Sequence, residues 1–151
     1  MKAIKLLFLS GILALTSCGK EQFYAGTYEG SIDVRVYSFD DNDLDGPYTQ
    51  DTELVRFYIL SDDEGDYFTW DNCFISQGVY LPSPDPVYIN NRGKGKLNFH
   101  FEQDIWEFDI KIKVDIDDSG VMQYEAKVLE CVDVSGNGRT GMIVYAGELH
   151  G

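Results

Sequence analysis

The sequence predicts an all-β fold, an antiparallel up-and-down meander of about eight strands. Three observations predict it. Apolar side chains recur at every second position in most segments. Clusters of Gly, Asp, Asn and Pro separate those segments. No stretch of three helical turns carries an amphipathic pattern. One predicted strand is longer than about ten residues and has a single clean apolar face. That favours a sheet curled into an eight-stranded barrel, because closure removes the exposed edges on which strands aggregate.

The elements follow in chain order. Over 28–36, Tyr28, Gly30, Ile32, Val34 and Val36 share one face, with Glu29, Ser31, Asp33 and Arg35 on the other. Residues 40–51 read as the long polar loop. Residues 54–60 form a strand apolar on both faces. Residues 66–75 form another, with Phe68, Trp70 and Phe74 on one side. The segment 82–86 holds Pro82, Pro84 and Pro86, which lack the N–H a ladder needs, so only a short strand at 87–89 follows. Over 96–101, Leu97, Phe99 and Phe101 alternate with Lys96, Asn98 and His100. The clearest strand is 106–116: Trp106, Phe108, Ile110, Ile112, Val114 and Ile116 oppose Glu107, Asp109, Lys111, Lys113 and Asp115. A helix would scatter these residues around its circumference. Asp117-Asp118-Ser119-Gly120 then predicts a tight hairpin in which Gly120 takes a positive φ. Residues 122–128 and 142–149 complete the meander. The other breakers are 62–65, 90–95 and 135–138.

Composition bounds the function. The 151 residues carry 12 Lys+Arg against 26 Asp+Glu, a formal charge of −14. That excludes the ordinary nucleic-acid binder with its basic stripe, and a polybasic membrane-surface module. Aromatics make up 14% of the chain, enough to build a core, and the length suits a single domain.

The N-terminus reads as a targeting segment. Lys2 and Lys5 precede the apolar run 6–15, which is shorter than the ~20 residues a membrane span needs and suits an export signal. Leu15-Thr16-Ser17-Cys18-Gly19 resembles the lipobox of bacterial lipoproteins. The resemblance implies a signal peptide over 1–17, cleaved before Cys18. It implies that Cys18 carries the acyl chains and that 18–24 is the lipidated tether, which leaves 25–151 for the single β-barrel domain that the strand pattern predicts. The implied partner is the membrane, reached through the lipid. Gly19 rather than Asp follows the cysteine, and by similarity this favours the outer membrane of the cell envelope, on a face left open. The alternative is an ordinary cleaved signal with an incidental cysteine.

Ala25-Gly26-Thr27-Tyr28-Glu29-Gly30 resembles the opening G-x-Y-x-G strand of calycin-like or lipocalin-like domains. Tyr145-Ala146-Gly147-Glu148-Leu149 resembles their closing strand. The resemblance implies an eight-stranded barrel that either holds a small apolar ligand or is filled by its own side chains.

Four groups of residues carry candidate chemistry. Cys73 and Cys131 form either a disulfide, contributing about 4 kcal/mol on the chain-entropy account, or two free thiols. A zinc site is disfavoured, since there is no C-x-x-C and the histidines are His100 and His150 alone. Asp41, Asp43 and Asp45, followed by Gly46, match the first half of a calcium loop, whose alternating carboxylates converge on a hard cation. Thr52 stands where the loop's last Glu belongs, and a solvated acidic hairpin is the alternative. Trp70, Trp106, Tyr28 and Tyr124 are either pocket-lining aromatics, suited to flat, apolar or sugar ligands, or plain core. His100 reads as a surface residue. Without a G-x-S-x-G or a distinct carboxylate pair, no catalytic constellation emerges. The expected protein is therefore not an enzyme. It is a lipid-anchored envelope β-barrel module that binds a small hydrophobic or glycan-like ligand. The alternative is a filled barrel that binds another envelope protein.

Overall fold

The computed structural model describes residues 24–40, 43–70, 85–103, 106–132 and 138–151. Several sequence expectations lie outside them: the signal peptide, the Cys18 anchor, most of the tether, Asp41 and Cys73. The same holds for the side chains of Trp106 and Cys131, whose backbones are described.

Eight strands follow one another: β1 (Gly26–Asp40), β2 (Asp43–Asp62), β3 (Gly65–Phe68), β4 (Val87–Tyr88), β5 (Lys94–Gln103), β6 (Trp106–Ile116), β7 (Val121–Val132) and β8 (Gly138–His150). They form one antiparallel sheet in the order β4-β3-β2-β1-β8-β7-β6-β5. Each chain neighbour is also a sheet neighbour except β4 and β5, so the predicted meander is present. The strand predicted over 106–116 matches β6. Its residues Ile110, Ile112, Val114 and Ile116 are buried and Lys111, Lys113 and Asp115 are exposed.

Two expectations are corrected. Residues 43–51 are not a loop but the first half of β2, paired with β1 out to Asp40↔Asp43, with an irregularity between Val36 and Ser38. This half runs beyond the core and is exposed on both faces. It therefore carries no apolar alternation from which a strand could be read. The sheet is also not a closed barrel: no strand pairing joins β4 to β5. β4 is two residues long, and Pro86 directly before it has no N–H to extend the ladder. Instead the chain turns over Asn90–Gly93, where Asn90 N donates to Lys94 O at 3.0 Å and Gly93 N to Asn90 O at 3.0 Å. Side chains cover the gap. The edge of Trp70 meets Phe99 at 5.0 Å between centroids. A Cβ on Gly95 would stand 2.7 Å from the Phe68 ring and 2.8 Å from the Ile89 side chain, so a larger residue here would have to displace both.

The inner faces build one cluster. Tyr28, Ile32, Phe57, Ile59, Phe68, Ile112, Met122, Tyr124, Tyr145 and Leu149 are among its buried members. Phe57 sits at its centre, 5.6 Å from Phe68 and 5.3 Å from Tyr124, both rings tilted as aromatic quadrupoles prefer. The segments resembling opening and closing strands meet: Gly30 pairs with Leu149 and Ile32 with Gly147. A Cβ on Gly147 would lie 2.4 Å from the Ser31 carbonyl oxygen, so this pair of strands packs closer than any side chain allows.

The turns at the end holding Tyr24 and Gly151 are pinned by carboxylates. Asp66, the buried acid, accepts from Tyr24 N at 2.6 Å, Ala25 N at 3.2 Å and Ser61 Oγ at 2.7 Å. Its backbone oxygen accepts from Ile89 N at 2.8 Å. One residue thus ties the start of β1, the end of β2 and the exit of β4. Asp117 accepts from Ser119 N at 2.9 Å, Ser119 Oγ at 2.6 Å and Val121 N at 3.0 Å, and Gly120 has the predicted positive φ, 80°. Those bonds, the Ser119 hydroxyl first, hold the Asp117 carboxyl below its ordinary value.

Asp66→Ala strands three donors and is expected to lower unfolding free energy by roughly 2–4 kcal/mol in urea titrations. Asp66→Asn, which puts an amide N–H against a donor, recovers only part of that. For Asp117 the sign follows from a depressed folded value. Its stabilisation is fully present above the unfolded value of 3.8 and is lost as pH falls through the lower folded value. Melting curves of the native chain and Asp117→Ala should therefore differ at pH 7 and converge in acid below that value.

Candidate functional site

The inner surface is graded along the strands. Near Tyr24 and Gly151 it is shut by buried side chains: Tyr28, Phe57, Ile59, Ile116, Met122 and Leu149. Toward the opposite end the same alternating positions lose cover. Val34 on β1, Phe99 and Phe101 on β5, Phe108 on β6, Val128 on β7 and Ile143 on β8 are only half-buried, as is Trp70. This is the end at which β3 leads toward 71–84, β5 toward 104–105 and β7 toward 133–137.

Aromatic rings organise that half. Phe101 and Phe108 are cross-strand partners, stacked with centroids 6.1 Å apart and planes 30° from parallel. Trp70 and Phe99 stand beside them across the gap in the sheet. The strand register adds polarity: Glu53 lies opposite Ile32 and Asp51 opposite Val34, and cross-strand partners share a face. The inner face of β2 therefore turns from Val55, Phe57 and Ile59 to Glu53 and Asp51 as it leaves the core. The half-open end thus carries flat apolar rings on β5 and β6 and carboxylates on β2.

The predicted pocket aromatics divide. Tyr28 and Tyr124 are core: Tyr28 is buried, with its hydroxyl donating to Tyr24 O at 2.8 Å, and Tyr124 packs edge-on against Phe57. Burial, with Asp66 nearby, pushes the Tyr28 phenol up. Trp70 belongs to the half-open end. The side chain of Trp106 lies outside the described residues. Sequence alternation placed Phe99 and Phe101 on the apolar face of one strand and Phe108 on that of the next, but offered no sign that the two faces join or of which stretch stays uncovered.

The candidate calcium residues are placed differently from a loop. Asp43 and Asp45 sit on β2, and the Tyr48 hydroxyl donates to the Asp45 carboxylate. Cys131 lies on β7, opposite Glu107 of β6. Among the described residues, ligand atoms capable of sharing a metal ion converge at His100, Glu102 and Glu107, all within 4.8 Å of one another. His100 is exposed as expected. Its Nδ1 meets Asp109 Oδ1 at 2.9 Å and its Nε2 meets Glu102 Oε1 at 3.4 Å. The hydrogen bond to Asp109 raises the imidazole above its ordinary value.

The outer face of β5–β8 also forms a shallow groove, crossed by several side-chain pairs. Lys94 meets Asp115 at 2.7 Å, Lys113 meets Glu125 at 3.6 Å, and Gln123 donates to Glu148 at 2.7 Å.

Comparison of the chain with protein-family models, with curated proteins and with solved structures finds no match.

Proposed function

We propose that this protein is a binding module rather than an enzyme, held at the cell envelope by an acylated Cys18, and that it takes a small hydrophobic or glycan-like ligand at the half-open end of its sheet. The observation that carries the reading is the gradient in cover along the inner face. Phe99, Phe101, Phe108 and Trp70 offer ring faces that the chain's own core leaves partly uncovered. Sugar rings stack their C–H faces on aromatics, and their hydroxyls donate to carboxylates such as those of Glu53 and Asp51. The ligand would therefore lie between β5–β6 and β2. Placing the site on strands favours affinity, because little order is lost on binding.

A second reading has its own observation. On the outer face of β2, Leu54 is 87% exposed, Tyr58 40% and Leu60 42%. Tyr67 and Tyr88 continue the strip with rings 5.7 Å apart. Exposed apolar strips of this kind mark protein contacts, which fits an envelope protein as partner.

Two measurements test these readings. Native mass spectrometry of the protein from its host should show a bound small molecule that the double variant Trp70→Ala/Phe101→Ala has lost. A ligand-free native chain, with a protein bound instead and released by Leu54→Asp, would replace the first reading by the second. For the anchor, Cys18→Ala should move the protein from the membrane pellet to the soluble fraction. Unchanged pelleting would remove the lipid from the proposal.

A further inference from the structure

We propose that His100, Glu102 and Glu107 form a binding site for a transition-metal dication of the zinc class on the outer face of β5 and β6, with Asp109 as the residue that positions the imidazole. The site arises from strand register. His100 and Glu102 are two apart on β5 and share its outer face. Across the ladder His100 pairs with Asp109, and Glu102 with Glu107. Four side chains thus stand on a two-by-two lattice whose spacing the backbone hydrogen bonds set, not a loop.

The geometry fits one small ion. Two ligand atoms each ~2.0–2.1 Å from a tetrahedral zinc lie about 3.3 Å apart. His100 Nε2 and Glu102 Oε1 lie 3.4 Å apart, and one ligand atom from each of His100, Glu102 and Glu107 lies within 4.8 Å of the other two. Asp109 Oδ1 lies 2.9 Å from Nδ1; the tautomer protonated at Nδ1 donates to that carboxylate and turns its Nε2 lone pair toward Glu102. This is the carboxylate–imidazole arrangement that orients metal-binding histidines.

The donor chemistry selects the ion class. One imidazole nitrogen with two carboxylates suits zinc and its first-row neighbours, whereas calcium and magnesium favour all-oxygen sets. Glu102 directly opposite Glu107 is a like-charge pair that repels across the ladder, and a dication between them reverses the sign of that interaction. Three protein ligands leave the fourth position to water, with the site open to solvent on the exposed side of His100 and Glu102.

The test is calorimetric titration of the full chain with Zn2+ alone at neutral pH, together with Co2+ absorption as a reporter of nitrogen-bearing tetrahedral ligation. One Zn2+ per chain is expected. His100→Gln and the double variant Glu102→Gln/Glu107→Gln should abolish measurable binding. Asp109→Asn, acting only through the imidazole, should weaken it about tenfold or more. His150→Gln, which removes the other histidine, should leave affinity unchanged. All these residues are on the outer face, so circular dichroism should stay that of the native sheet. The proposal is overturned by the absence of binding in the folded native chain, by affinity unchanged in His100→Gln, by loss in His150→Gln instead, or by equal binding of Ca2+.

Discussion

A single sheet with one apolar face has to bury that face against itself. No helix and no second sheet among the described residues is available to cover Ile32, Phe57, Ile112, Tyr124 and Leu149. That requirement bends the eight strands until β3, β4 and β5 meet. It also demands close approach at the points of greatest curvature. Gly147 against the Ser31 carbonyl and Gly30 against the Glu148 carbonyl are where the backbone comes nearer than a Cβ permits. The hydrogen-bonded ladder carries the curl through seven pairings, and side chains finish it at β4–β5.

The two ends of this curled sheet are built differently. One is locked by short turns and carboxylates: Asp66 joins three strands and Asp117 caps a hairpin. Asp62 accepts from the Tyr88 hydroxyl at 2.8 Å, a bond that pushes that phenol up to about 12. At the other, the inner alternation continues but its cover thins, and the lining changes from aliphatic to aromatic and acidic. Rigid support at one end and an incompletely covered aromatic surface at the other is the division of labour a binding scaffold needs. The outer face carries some local ion pairs, such as Arg56 with Glu29 and Lys94 with Asp115. These contribute little to stability, because water screens them. Around His100, outer-face carboxylates gather about an imidazole nitrogen instead of a lysine.

Most strands, their turns and the direction of their apolar faces were legible in the sequence, because period-two alternation is a local property and Gly or Asp at a turn acts on its own backbone; the strand expected from 66 onward leaves the ladder after Phe68. The 106–116 strand and the Gly120 turn needed nothing else. The polar half of β2 was not legible, since a strand solvated on both faces carries no alternation; its partner β1 supplies the order. For the same reason the candidate calcium residues Asp43 and Asp45 read as a loop. Of the half-open end, the aromatic identities were legible and their cover was not.

By itself, the sequence determined an all-β meander, its turns and an acidic surface, since each follows from side-chain pattern over a few neighbouring residues. Only the tertiary structure decided which strands become the sheet's edges, that the ladder stays open between β4 and β5, and that Asp66 gathers donors from Tyr24, Ala25 and Ser61. It alone brought Glu107 and Asp109 beside His100 and Glu102. The physical reason is that register across a ladder pairs residues far apart in the chain, and no local pattern encodes which of them will face one another.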